Sequence, residues 1–197
     1  MAKAGTERRA LIERMALRLF AERGYAAVTT KDIAKACGVG ESALYRHMDS
    51  KEELAVRVFR TAYLGLAGRL LGAAPEEAAI GAKIGAYLQV LLDTFDRDPD
   101  LVLFLLGRQH DILARAIGPE DMTPLLVVRA ALVRAQAQGE IRQGDPDLLT
   151  AMTLGAAFQP LTFAQFGRLP APAIQHAGPI RAGILRLLGT AGAEDAQ

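Results

Sequence analysis

Residues 29–51 read "TTKDIAKACGVGESALYRHMDSK", and the fold turns on them. Thr29 with Asp32 three residues on resembles a capping box, with aspartate in the acidic position, so a helix is expected to start here. Ile33, Ala34 and Cys37 give that helix a very short apolar face, and Gly38 ends it, since glycine takes positive φ at little cost. A third helix is expected from Gly40 or Glu41, with Leu44 and Met48 facing inward. Asp49 or Ser50 then caps a fourth, beginning "KEELAVRVF". Two short helices around a glycine turn bury little by themselves. They make sense as a helix-turn-helix packed on the helix before them. Ala34 falls where the two would cross and has to be small, while Val39 and Leu44 plug the angle between them.

The preceding helix is legible too. Thr6 is its expected N-cap, Ile12, Met15, Ala16, Leu19 and Phe20 form one stripe, and Gly24 supplies the stop. Projecting the third helix at about 100° per residue puts Ser42 and Arg46 opposite the Leu44/Met48 face. Ala43 and Tyr45 flank them, and Glu41 and His47 sit at the shoulders. Short side chains early and basic or aromatic ones later suit entry into a DNA major groove, with Arg46 donating to base edges or phosphate. The competing reading is a plain helical hairpin in a bundle. Cys37 reads as core rather than as a redox switch.

Charge points the same way. The whole chain carries +1, but residues 1–51 hold ten Lys/Arg against six Asp/Glu, and the remainder thirteen against sixteen. A basic N-terminal part suggests a polyanionic partner for that part alone. One cysteine in 197 residues excludes an internal disulfide and a thiolate metal cluster, and fits a cytoplasmic protein. No secretory signal opens the chain. Residues 148–167, "LLTAMTLGAAFQPLTFAQFG", carry no charge and are long enough for a membrane span, but their scattered Thr, Gln and Pro favour a helix buried within protein.

The rest reads as further helices, over 51 to about 72, 76 to 96, a run after Pro99 stopped by Gly118-Pro119, 123 to 138, 146 to about 168 and a last one ending near Gly189. The expected fold is all-α, with about nine helices. A helix-turn-helix DNA-binding domain over 1–50 precedes a C-terminal helical bundle over 51–197.

"TTKDIAKACGVGESALYRHMDSKEELA", with the "LFAERGY" before it, resembles the DNA-binding region of the TetR family of transcriptional regulators. Phe20, Gly24, Tyr25, Ile33, Ala34, Gly38, Val39, Leu44, Tyr45 and Lys51 fall where that pattern wants them. The likeness covers roughly residues 8 to 56; beyond it only the layout matches. Glu41, Ser42 and Ala43 depart from the basic residue and Gly-Thr that often open the recognition helix, and Met48 replaces the usual phenylalanine. The resemblance implies a homodimer reading a palindromic double-stranded operator. It implies Thr29, Thr30 and Lys31 as phosphate or base contacts, Tyr45 and His47 as phosphate holders, and Lys51 as a further phosphate site. It also implies that residues 51–197 bind a small effector and dimerise.

Polar or aromatic residues inside apolar runs are the candidate ligand contacts: Tyr87, Phe104, His110, Met152, Phe158, Gln159 and Phe163. Each has plain core as its alternative. Pro160 breaks the hydrogen-bond ladder beside Gln159, so a kink there would open space for a mostly apolar effector. Phe166, Ile180, Ile184, Leu187 and Leu188 are the candidate dimer contacts, the alternative being burial within one chain. No metal spacing, catalytic triad or phosphate loop is present, so neither a cofactor nor enzymatic activity is expected. A ligand-responsive repressor leads. A regulator answering to a protein partner, and a small helical enzyme, are the alternatives.

Overall fold

The structure, a computed structural model, describes residues 2–190, with side chains for 6–107 and 112–190. Among the described residues there are nine α-helices, one turn of 3-10 helix and no strand. They are α1 (Ala2–Arg23), α2 (Thr30–Ala36), α3 (Glu41–Leu44), α4 (Lys51–Leu71), α5 (Ile80–Arg97), α6 (Pro99–Ala116), α7 (Pro124–Ala137), α8 (Pro146–Gln165) and α9 (Ala177–Leu188), with the 3-10 turn at Ala173–His176. The all-α reading holds. No helix among the described residues is long and apolar enough to cross a membrane.

Two local expectations need correction. Helix α1 starts at Ala2 rather than at a Thr6 cap, because Ala2, Lys3 and Ala4 are strong helix formers that carry the helix back past the threonine. Helix α3 is a single turn: beyond Leu44 the chain tightens, the His47 amide donates to the Leu44 carbonyl at 2.8 Å, and Tyr45–His47 form a turn. Ser50 then caps α4, accepting from the Glu53 amide at 3.0 Å.

The chain divides into two compact units, Met1–Tyr63 with Asp100–Asp121, and Leu64–Pro99 with Met122–Gln197. This division differs from a cut at residue 50. The first part of α4 and nearly all of α6 belong with the N-terminal helices because Phe104 of α6 joins their core. Its ring stacks on Phe20 at 6.0 Å and meets Phe59 edge-on at 6.2 Å, and all three rings are buried. Ion pairs of Arg60 with Asp121 and Arg115 with Glu52 tie the same elements at the surface.

In the second unit α5 is the central element, packed on α7, α8, α9 and the 3-10 turn. Its stripe of Ile80, Ile84, Leu88, Leu91, Leu92 and Phe95 is buried. Asp145 caps α8, accepting from the Asp147 and Leu148 amides, with Pro146 at the first helical position. Helix α8 runs on through Pro160.

Candidate DNA interface and ligand cavities

The helix-turn-helix is held by backbone chemistry that its residues dictate. Thr29 and Asp32 form the full capping box: the Asp32 amide donates to Thr29 Oγ1 at 3.1 Å, and the Thr29 amide donates to Asp32 Oδ2 at 2.9 Å. The Thr29 hydroxyl also donates to Asp32 Oδ2 at 2.6 Å, and these bonds hold the carboxyl below its usual range. At the other end of α2, Gly38 sits at φ +65°. The Val39 amide there reaches back to the Ala34 carbonyl and closes the helix. Ala34, Leu44 and Met48 are 3%, 0% and 2% exposed, so the inward face is the one expected from spacing.

The opposite side is open. Lys31, Glu41, Ser42, Tyr45 and Arg46 are exposed, and Thr30, Ala43 and His47 are half-buried. Arg57 braces this surface from behind. It donates to the His47 carbonyl at 3.1 Å while pairing with Glu13 of α1 at 2.8 Å. Sequence reading misses Arg57, because its partners lie 10 and 44 residues away.

Two expected contacts are already engaged within the chain. Thr29 is exposed, but its hydroxyl is committed to the cap. Lys51 does not reach outward: its Nζ donates to the Tyr25 and Val28 carbonyls at 3.0 and 2.8 Å and lies 4.2 Å from the centre of the Tyr25 ring. Its charge closes the α1–α2 connection.

Among the described residues, the second unit holds at least two cavities. One, of about 40 Å³, is lined by Leu66, Leu70, Ile84, Leu91, Val128 and Leu154 among others, with Tyr87, Thr153 and Phe158. The other, of about 270 Å³, is lined by Leu71, Met122, Val127, Glu76, Lys83 and Arg134 among others, and again by Tyr87. Thr153 is 3% exposed, and its Oγ1 has no hydrogen-bond partner among the described residues. Burial pushes the Tyr87 phenol up.

Of the expected ligand contacts, Tyr87 and Phe158 therefore line a cavity. Phe104 lies in the core of the other unit. The side chain of His110 lies outside the described residues. Met152, Gln159 and Phe163 face out, and the reason is angular. Leu148, Met152, Gly155, Gln159 and Phe163 fall on one stripe of α8, continued by the C-cap residue Phe166, all exposed, whereas Leu149, Thr150, Thr153, Ala157 and Leu161 form the buried opposite face. Among the expected dimer contacts Phe166 is 73% exposed, but Ile184 and Leu188 are at 1% and 0% and belong to the core of the unit. Ile180 and Leu187 are half-buried. Sequence reading also misses Lys83, Arg134 and Thr153. The available signal is Lys83, a charge on the α5 stripe between Ile80 and Tyr87.

Residues 12–58 match the model of the bacterial regulatory proteins, tetR family. The HTH-type transcriptional repressor KstR2 of Rhodococcus jostii is 40% identical over 80 residues, which are 41% of this chain and 37% of that protein. The chain thus spans little more than a third of that relative. The nucleoid occlusion factor SlmA of Vibrio atlanticus is 30% identical over 160 residues, 78% of this chain and 81% of SlmA. The structure of a TetR family transcription regulator from Marinobacter aquaeolei superposes with a TM-score of 0.81 at 17% identity, covering 97% of this chain and all (100%) of that one, a likeness of fold. The capped helix-turn-helix, the family model and these relatives agree: the chain belongs to the TetR family, whose members are regulatory proteins and not enzymes.

Proposed function

We propose that this protein is a cytoplasmic transcriptional repressor that binds a palindromic operator as a homodimer and is released by a small effector. One observation carries the DNA-binding role. The turn between α2 and α3 buries Leu44 and Met48 and leaves Ser42, Tyr45 and Arg46 exposed together on the opposite side. Arg46 reads a base edge, and Tyr45, His47 and Lys31 position the duplex through phosphates. Thr30, Glu41, Ser42 and Ala43 line the approach. Thr29 and Lys51 act by holding the geometry of α2. Residues 1–50 read DNA, backed by the first part of α4 and by α6, and the rest of 51–197 carries the effector and the dimer.

The exposed α8 stripe of Leu148, Met152, Phe163 and Phe166 supports the dimer, since an apolar row of this length is best covered by a second copy. Half-buried Ile180 and Leu187 on α9 extend it. The cavities beside Tyr87 and Phe158 receive the effector, and binding releases DNA because the effector prefers the state that cannot span both half-sites. A mobility shift with the DNA upstream of the protein's own gene tests the reading: wild type retards it, and Arg46→Ala does so only at markedly higher protein concentration. A second reading, with a protein partner in place of the effector, draws on the likeness to SlmA, a nucleoid occlusion factor. Operator release by purified small molecules alone separates the two.

A further inference from the structure

We infer that the effector is an amphipathic anion, its acid group paired with Lys83 in the larger cavity and its apolar end directed past Tyr87 toward Thr153. This rests on the effector reading above and names the effector's chemistry. Lys83 is 7% exposed. Lysine is almost never buried so far unless its charge is paired. Here the Nζ donates to one backbone carbonyl, that of Glu76 at 2.6 Å, and among the described residues no carboxylate lies within ion-pair reach of it. An ammonium has three donors. Two remain, in a cavity of about 270 Å³ that Arg134 also lines. A buried cation with spare donors beside open space is a counter-ion site.

The one acid lining that cavity does not fill the role. Glu76 lies 3.4 Å from Arg134, and its side chain is 85% exposed, so the pair is weak and the carboxylate is free to swing to water. Leu71 and Met122, 54% and 49% exposed, also line the cavity, giving an occupant apolar wall beside the charge.

Size argues that the two cavities act together. About 40 Å³ has room for only a few water-sized groups, while small-molecule sites begin near ~300 Å³. Tyr87 lines both cavities. A change of its rotamer joins the two spaces. Lys83 and Tyr87 are one helical turn apart on α5, so acid group and chain pass along one face.

Decanoate and decanol are the probes, titrated by calorimetry into the full-length protein and into Lys83→Gln, Lys83→Met and Arg134→Gln. Glutamine keeps a donor for the Glu76 carbonyl and removes the charge. The expected result is that wild type binds decanoate at least about tenfold more tightly than decanol, and that Lys83→Gln abolishes that preference through a roughly tenfold to hundredfold loss for decanoate alone. Arg134→Gln weakens decanoate less. Lys83 as a mere fastener of the Glu76 carbonyl predicts a lower melting temperature in Lys83→Met with the preference intact in Lys83→Gln, and that result overturns the anion site. Equal binding of decanol and decanoate by wild type also overturns it, while leaving the effector reading in place. If neither probe binds, the anion site fails, and operator release by other small molecules decides the effector reading separately.

Discussion

Lys51 shows how one side chain can match a family pattern and still do a different job. Two backbone carbonyls and an aromatic ring hold its ammonium, so Lys51→Ala strands the Tyr25 and Val28 carbonyls. Urea unfolding should register a loss of about 1.5–3 kcal/mol. The salt dependence of operator binding should change little beyond what the lost stability accounts for. Arg46 presents the reverse case, exposed and opposite the core face. Arg46→Ala should leave the unfolding midpoint in place and cost about 1–3 kcal/mol on the operator, with a smaller loss on random DNA. Equal losses on both DNAs would make it a phosphate anchor. At Thr153 the buried hydroxyl lacks a partner among the described residues, so the nearly isosteric Thr153→Val should stabilise the ligand-free protein by about 1 kcal/mol and, facing the effector's apolar end, should leave its binding no weaker. Differential scanning calorimetry with and without effector reads both.

At the scale of the element, α2 stands on its two ends. Replacing Gly38 by alanine puts a Cβ on a residue at φ +65° and should cost about 1–2 kcal/mol, although nothing lies within 4 Å of that Cβ. The cost is backbone strain and not collision. At the other end, the bonds from Thr29 hold the Asp32 carboxyl below its usual range in the folded protein. Its stabilisation is therefore fully present above the unfolded value, near pH ~3.9, and is lost as pH falls through the lower folded value. Asp121, lowered by the hydrogen bonds from Arg60, and Asp147, lowered by that from Arg129, respond in the same direction. Stability should stay flat above about pH 5 and fall below about pH 4, and Asp32→Asn should flatten some of that fall. A fall of the same size in the variant would discharge Asp32 from the role. Helix α8 follows a different logic. Its sequence is apolar on nearly every side, and neither cap tells which side faces in.

On the scale of the whole molecule, the test of assembly lies on α8. Leu188 is fully buried in its own unit, so Leu188→Glu should unfold the chain rather than dissociate a dimer of folded subunits. Phe163 is 49% exposed on the α8 stripe, so Phe163→Glu should keep the helical signal and sediment as a monomer. A stable Phe163→Glu dimer would move the interface elsewhere. The arrangement of the N-terminal helices was legible from residues 6–56 because every signal there is short-range. A cap and its acceptor are three residues apart, a glycine makes its own turn, and an apolar stripe repeats within one helix. Phe104, Gln159, Ile184 and Lys83 were not legible, because their roles depend on partners far along the chain. Phe104 meets Phe20 across 84 residues and so joins the unit of α1, while Gln159 turns outward because α7 and α9 pack on the other side of α8. The sequence by itself determined that the chain is helical, the Thr29 and Asp145 caps, and the inward face of Leu44 and Met48. Only the tertiary structure decided which side of an evenly apolar helix is buried, and which lysine is buried with no carboxylate in ion-pair reach among the described residues. Burial is set by the sum of non-local contacts, and no local pattern carries that sum.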